Sequence, residues 1–434
     1  MRPLFANRSF MAVWAASFVS GLGDKIAILA FFSLVYHRTG NVASLGLLAA
    51  VQVLPGVLLG PFAGVMVDRW SRRGMMIASD LFSTAVVCAI PFVPELWQVY
   101  LLASLLAAGR HLTGPARMAL LPDLVPVEQL GHSNALFMIS QNAMLLVGMA
   151  AGGLIVHALG VVTAFLVDGA TFLISAAILA FRPFRYLAVE PSPAGGAVVE
   201  KPAEKWHDIR QGAVWLWGRP SLRFAVLFLG LVTMVTAMQP PLVYEFVTRM
   251  LGRSEGDLGL IFATAGLGGL LGAAAGVLTR GARRPLRAVG LLVALDGLLL
   301  GLFAVNRSFA GALVLFALFG AVSTGIQINL ATFLQRETPP ERRGRIFGWL
   351  GPLLGPVTLL SVLAGPTLAS LWGVGQVLLI ASIAEIIFGL AGALRAPFSD
   401  EPARGGRVGA DRSPTASPAA PGVGEVPPAL RSRA

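Results

Sequence analysis

Stretches of about 20 apolar residues, each closed by a short polar or basic loop, follow one another from the start of this chain to Arg395. Wound as a helix at ~1.5 Å per residue, such a run crosses the ~30 Å hydrocarbon layer of a bilayer. Lipid offers backbone amides no partners, so these runs must be helices, which satisfy the amides internally. Length and flanking charge place twelve spans at 9–36, 43–67, 74–94, 97–120, 133–157 and 161–182, then at 222–248, 257–280, 286–305, 308–334, 345–370 and 373–396. Only 13% of the residues are charged and the mean hydropathy is +0.75, which excludes an ordinary soluble globular protein. The chain reads as an all-α membrane protein whose first partner is the lipid bilayer.

A net charge of +11 would suggest nucleic acid in a soluble chain. Here the charges mark topology instead, and no nucleic-acid partner is expected. Of 33 lysines and arginines, Arg38, Arg249, Arg253 and Arg307 lie in loops on one side, and Lys25 and Arg110 lie within spans. The other 27 (33 − 4 − 2) fall on the side that carries both termini. Short basic loops resist translocation, so both termini are expected in the cytoplasm and the protein in the plasma (inner) membrane. Met1 to Arg8 lead into the first span without a small-residue cleavage pattern, and that span is expected to act as the targeting element. The only cysteine, Cys88, lies within a span, which leaves no intramolecular disulfide and no cysteine metal site. The five histidines are scattered, and neither a Walker lysine loop nor a His-Glu-x-x-His helix is present. No metal, no cofactor and no enzymatic activity are expected.

The composition breaks after the sixth span. Residues 1–182 form a first six-helix bundle, 183–221 a cytoplasmic linker, 222–396 a second bundle and 397–434 a tail. Within the linker, Trp206, Ile209, Trp215 and Trp217 alternate with charged residues, the pattern of a helix lying on the membrane surface. The tail is rich in Pro, Ala, Gly and Arg with no periodic apolar face, and disorder is expected there. An internal repeat supports the two halves. Pro126-Val127-Glu128 and Pro339-Pro340-Glu341 stand 213 residues apart (339 − 126), as do Gly131 and Gly344.

Between spans two and three lies Gly64-Val65-Met66-Val67-Asp68-Arg69-Trp70-Ser71-Arg72-Arg73-Gly74. It resembles the signature loop of the major facilitator superfamily of secondary transporters, with Ser71 where that family usually has glycine. The second copy, Gly276 to Arg284, keeps the glycine and the basic cluster but has Arg280 in place of Asp68. Further matches follow in order: Leu4-Phe5-x-x-Arg8-x-Phe10, Gly23-Asp24, Leu121-Pro122-Asp123-Leu124-Val125-Pro126 and Arg343-Gly344-Arg345-Ile346-Phe347-Gly348. Gly109-Arg110-His111-Leu112-Thr113-Gly114 is similar to the family's Arg-x-x-Gln-Gly element, with Thr113 for glutamine. Gly148-Met149-Ala150-Ala151-Gly152-Gly153 is similar to the Gly-Pro-x-x-Gly-Gly element of its exporters, with Met149 for proline. Together these resemble the macrolide, siderophore and drug exporters of the superfamily. The resemblance implies the major facilitator fold: twelve transmembrane helices in two pseudo-symmetric six-helix bundles with the substrate site between them. It also implies a cytoplasmic gate at Gly64, Asp68, Arg69, Arg72 and Arg73, whose carboxylate caps a helix of the other half.

Ionisable side chains inside a membrane are expensive and mark candidates for function. Asp24 and Lys25 sit in the middle of the first span, ~100° apart around the helix, so they face different neighbours. Asp24 is either a proton-coupling carboxylate or a structural one. Arg110 is either part of the coupling or a static partner of Asp68 or Asp80. Gln52, Asn142, Glu245, Gln327 and Asn329 lie on helices that in this family border the cavity, and are candidates for substrate contacts. Asp80, Asp168, Asp296 and Glu385 lie on helices the family places outside it, and structural pairing is expected for them. The expected function is secondary active export, by a monomer, of a hydrophobic or amphipathic small molecule (drug, macrolide or siderophore-like) through proton antiport and alternating access. A lipid or lysolipid mover of the same fold and a non-transporting scaffold remain alternatives.

Overall fold

The computed structural model describes residues 2–69, 71–181, 217–278, 285–338 and 340–395. Among the described residues there is no strand, and ten helices are long and apolar enough to span a membrane. One of these, Val127–Phe181, is broken at Gly160, whose φ of 84° carries little strain only in a residue without a Cβ. It therefore counts as two. Leu96–Leu124, at 29 residues and ~43 Å, is the twelfth spanning helix. In chain order the helices are α1 (Arg8–Thr39), α2 (Val42–Arg69), α3 (Arg72–Ala89), α4 (Leu96–Leu124), α5 and α6 (127–159 and 161–181), α7 (Pro220–Glu245), α8 (Glu255–Leu278), α9 (Pro285–Val305), α10 (Phe309–Glu337), α11 (Pro340–Trp372) and α12 (Val374–Arg395). The side where α1 begins is called the near face below, and the opposite side the far face.

Most helices overrun the hydropathy windows by a few residues, because the hydrogen-bond ladder continues past the hydrocarbon edge until a cap ends it. At the start of α1 the Asn7 side chain accepts from Phe10 N (3.0 Å) and donates to the Leu124 carbonyl at the end of α4 (2.7 Å). The helix stops at Gly40, which is left-handed with φ 62°. Ser71 earns its place in the loop as the N-cap of α3, where its hydroxyl accepts from Gly74 N. A serine at the glycine position therefore starts a helix rather than loosening a turn.

The repeat read from the sequence reappears as paired contacts. In the first half the Thr84 hydroxyl of α3 reaches the Gly169 carbonyl of α6 at 3.4 Å. In the second half the Ser382 hydroxyl of α12 donates to the Gly297 carbonyl of α9 at 2.7 Å. Thr84 and Gly297 are 213 positions apart, and so are Gly169 and Ser382 (297 − 84 and 382 − 169), so hydroxyl and glycine have simply exchanged helices. The same offset relates the two seams between halves. A Cβ on Gly46 of α2 would stand 2.5 Å from the Val362 carbonyl of α11, and one on Gly259 of α8 would stand 2.5 Å from the Met149 carbonyl of α5. Gly46 and Gly259, and Met149 and Val362, are again 213 apart (259 − 46 and 362 − 149). Small residues admit this backbone approach where lipid supplies no hydrophobic drive.

The apolar core shows where the halves meet. Toward the far face one cluster runs through both, joining Leu29, Leu45 and Phe165 of the first half to Phe246, Leu258 and Leu378 of the second. Toward the near face the core is divided. Phe10, Met76 and Leu120 belong to a cluster of the first half, and Val226, Val289 and Phe333 to a separate one of the second. Among the described residues the bundles are thus fused at the far face and have distinct cores at the near face.

Candidate functional site

Asp24 lies 16 residues into the 32-residue α1, at mid-depth. Its Oδ1 is 2.6 Å from Arg110 Nη2 of α4, while Asp80, one of the two expected partners, is bonded to Ser175 and the side chain of the other, Asp68, lies outside the described residues. The two side chains are 27% and 29% exposed as wholes, while the atoms that meet, Asp24 Oδ1 and Arg110 Nη2, are themselves buried. Unit charges ~4 Å apart at an effective dielectric of ~20 attract by about 4 kcal/mol, so the pair is strong enough to help set the arrangement of α1 against α4. Lys25 turns away, its Cβ lying where a Cβ on Gly148 of α5 would come within 2.6 Å.

Behind the pair, Gly23 lets α6 approach so closely that an added Cβ would overlap Thr171 Oγ1 and Asp168 Oδ1. Asp168 is fully buried and its Oδ2 has no hydrogen-bond partner. Thr171 donates to the Asp168 carbonyl at 2.7 Å and lies 3.5 Å from its Oδ1. Asp80 of α3, also buried, accepts from Ser175 Oγ of α6 at 2.6 Å. Thr113, at the position of the family's glutamine, donates to Ser79 Oγ at 2.9 Å and ties α4 to α3. His111 is exposed and its ring fills the gap over Gly56 of α2. In the second half Asp296 and Glu385 are buried on α9 and α12, which touch at Gly297.

The glycines at 148 to 153 serve two neighbours. Gly148 and Gly152 seat Lys25 and Ile26 of α1, while Gly153 meets Glu255, Gly256 and Gly259 of α8 in the other half. With methionine at 149, this stretch works as a two-sided seam without a proline kink.

The described residues cover part of the loop between α2 and α3. Gly64, Asp68 and Arg69 fall in the last turns of α2, where the helical backbone alone is described, and Trp70 lies outside the described residues. Arg72 pairs with Asp123 at 2.5 Å. Arg73 donates to the Leu179 and Ala180 carbonyls at 2.7 and 2.9 Å, capping the end of α6. These arginines brace the near end of the first half. Arg280, Arg283 and Arg284 of the second copy, most of the surface helix expected before Gly218, and the tail lie outside the described residues.

The expected cavity residues scatter. Asn142 lies on the α5–α8 seam, where a Cβ on Gly269 would be 2.7 Å from its Oδ1. Asn329 donates to the Gly325 carbonyl of its own helix at 2.8 Å, Gln327 is exposed and Gln52 is half-buried. Glu245 ends α7 at the far face, 3.2 Å from Arg249, beside a cavity of about 590 Å³ that Thr39, Asn41 and Ser370 also line. Here the sequence reading missed a network that crosses between halves. Glu255 Oε1 of α8 accepts from Ser33 Oγ of α1 at 3.2 Å and from the Tyr244 hydroxyl at 3.3 Å, and lies 3.0 Å from His37 Nε2. Phe32 and Tyr36 pack edge-on against Tyr244, with centroids 5.8 and 5.3 Å away. Phe32 and Tyr36 stand four residues apart on one helix face, but nothing local says what the rings meet.

Residues 13–357 match the sequence model of the Major Facilitator Superfamily. The chain is 28% identical over 403 residues to the MFS-type transporter YfiS of Bacillus subtilis, covering 90% of this chain and 94% of that one. It is 28% identical over 392 residues to the multidrug efflux pump Tap of Mycolicibacterium fortuitum, covering 86% and 92%. Macrolide efflux protein A of Streptococcus pyogenes is 34% identical over 140 residues, which are 30% of this chain and 35% of that protein. Among solved structures, the nucleoside transporter NupG superposes with a TM-score of 0.70 at 12% identity, covering 88% of this chain and 98% of NupG. That likeness establishes the fold.

Proposed function

This chain belongs to the Major Facilitator Superfamily, and from that premise we propose that it is a proton-driven exporter of hydrophobic or amphipathic small molecules. The observation that carries the reading is the Asp24–Arg110 ion pair at mid-depth, joining α1 to α4. A carboxylate that can take a proton there loses its hold on the guanidinium, which links protonation to the arrangement of α1 against α4. Relatives named as a multidrug efflux pump and a macrolide efflux protein support the direction and the substrate class.

The near face is the cytoplasmic one in this reading, since basic residues crowd it. The fused far-face core and the Glu255 network then make this conformer the one closed to the outside. Alternating access would part the α2–α11 and α5–α8 seams at the far face and bring the near-face clusters together, with the Asp68 loop as the near-face gate. The molecule acts as a monomer in this account, each chain holding a whole pathway.

Expression in an efflux-deficient cell tests the proposal. Accumulation of a cationic dye such as ethidium should fall on expression and recover with an uncoupler. Unchanged accumulation across a broad panel of dyes and antibiotics would overturn it, and uncoupler-insensitive movement of a lipid reporter would favour a lipid mover of the same fold.

A further inference from the structure

Asp168 poses a problem of charge. It is fully buried on α6, its Oδ2 has no partner, and its Oδ1 lies against Gly23, the residue before Asp24. The titratable groups that act on it are Asp24 of α1, Arg110 of α4 and Cys88 of α3, and Lys25 and Asp80 in turn act on Asp24. Each is already engaged or unsuited. Arg110 is held by Asp24, Lys25 lies over Gly148 toward α5, Asp80 is a second acid bonded to Ser175, and Cys88 Sγ packs where a Cβ on Gly169 would sit. An ionised Asp168 would therefore be a buried charge without a counter-ion, which a membrane interior does not tolerate. A protonated one is neutral and keeps the triad Asp24, Arg110 and Asp168 at zero net charge.

We propose that Asp168 is a second seat for the transported proton: Arg110 alternates between Asp24 and Asp168, and the proton sits on whichever carboxylate the guanidinium has left. In the conformer described here Arg110 holds ionised Asp24, and Asp168 carries the proton. In the exchange the O–H bond on Asp168 breaks, one forms on Asp24, and Arg110 crosses to the Asp168 carboxylate. Atoms and charge balance, since one carboxylic acid, one carboxylate and one guanidinium are present before and after. No net charge moves through the low dielectric, which is what makes the step accessible. Asp24, 27% exposed where Asp168 is fully buried, then gives its proton to water. Asp168 is a proton-holding and positioning residue that acts through Arg110. This inference rests on the proton-antiport reading.

The test uses the full chain in proteoliposomes, with ethidium as probe. Asp168→Asn fixes the neutral form. It should retain ethidium exchange without a gradient, lose gradient-driven transport by ~100-fold, the scale of removing a positioned proton acceptor, and delete one protonated-carboxyl stretch from the infrared spectrum. Asp168→Glu should restore the drive and move that stretch out of an aspartate-labelled spectrum, which also decides the matter if Asp168→Asn does not fold. Wild-type gradient-driven transport in Asp168→Asn, or an unchanged carboxyl band in both variants, would overturn the proposal while leaving antiport intact. If the wild type shows no response to a pH gradient, proton antiport falls first, and the infrared band still reports whether Asp168 holds a proton.

Discussion

Replacing Gly259 by alanine should shift the protein away from the conformer described here. The new Cβ would stand 2.5 Å from the Met149 carbonyl oxygen and 2.8 Å from Gly153 Cα, where ordinary contact begins at 3.4 Å. Both neighbours are backbone, so no rotamer change relieves the overlap and α5 must retreat from α8 by 0.9 Å (3.4 − 2.5). Overpacking of this kind costs ~1–3 kcal/mol. The cost falls only on states in which the seam is closed, so the equilibrium should move ~5–150-fold toward states open at the far face. Gly46→Ala meets the Val362 carbonyl at the same 2.5 Å, so the pseudo-symmetry predicts the same sign and size of effect. Gly230→Ala, with nothing within 4 Å, should change nothing. Spin labels at Leu159 and Arg307, exposed positions at the far ends of the two halves, would report the distance between them once Cys88 is replaced by serine. Longer distances in both seam variants and not in Gly230→Ala are expected. Distributions that superimpose on wild type in folded Gly259→Ala and Gly46→Ala would refute the idea that these glycines hold the closed face.

Glu255→Ala should also weaken the closed face, because it removes the acceptor for the buried hydroxyls of Tyr244 and Ser33 at ~1–3 kcal/mol per orphaned donor. Glu255→Gln keeps an acceptor and should recover most of the loss in the same distance measurement. Asp24→Asn should abolish the response of dye transport to a pH gradient, and a wild-type response would remove Asp24 from the coupling. Asp123→Asn breaks a pair whose side chains are 36% and 35% exposed, so the thermal midpoint should reflect only ~0–1 kcal/mol. Ending the chain after Pro397 should leave transport unchanged, since the tail sequence has no apolar face to bury; lost transport in a folded truncation would make the tail functional.

The spans, their order and the two halves were legible because a bilayer demands ~20 apolar residues per crossing and leaves few alternatives. The offset of 213 was legible at Pro126 and Pro339. Its consequence, that Gly46 and Gly259 occupy matching seams, needed the helices in place. Asp24 and Arg110 stood out singly because each is costly in lipid, yet nothing local says that they meet. They lie 86 positions apart (110 − 24), and only the packing of α1 against α4 joins them. Asp168 is a second contact that nothing local reveals. Its helix is one the family resemblance puts outside the cavity, and only Gly23, which admits α6 close to α1, brings that carboxyl against the residue before Asp24. Glu245 sits at the terminus of α7, which carries Pro240 and Pro241 and passes into a π-helical turn at Phe246–Met250; that turn was not legible in the apolar run.

Purified protein in vesicles, with a pH gradient imposed in each direction, tests the whole account most directly. With the near face outward, a vesicle acid inside should accumulate ethidium, and the reversed gradient or a proton ionophore should abolish the uptake. Dye movement equal under both gradients, or driven by an acidic near face, would contradict proton antiport through these two bundles.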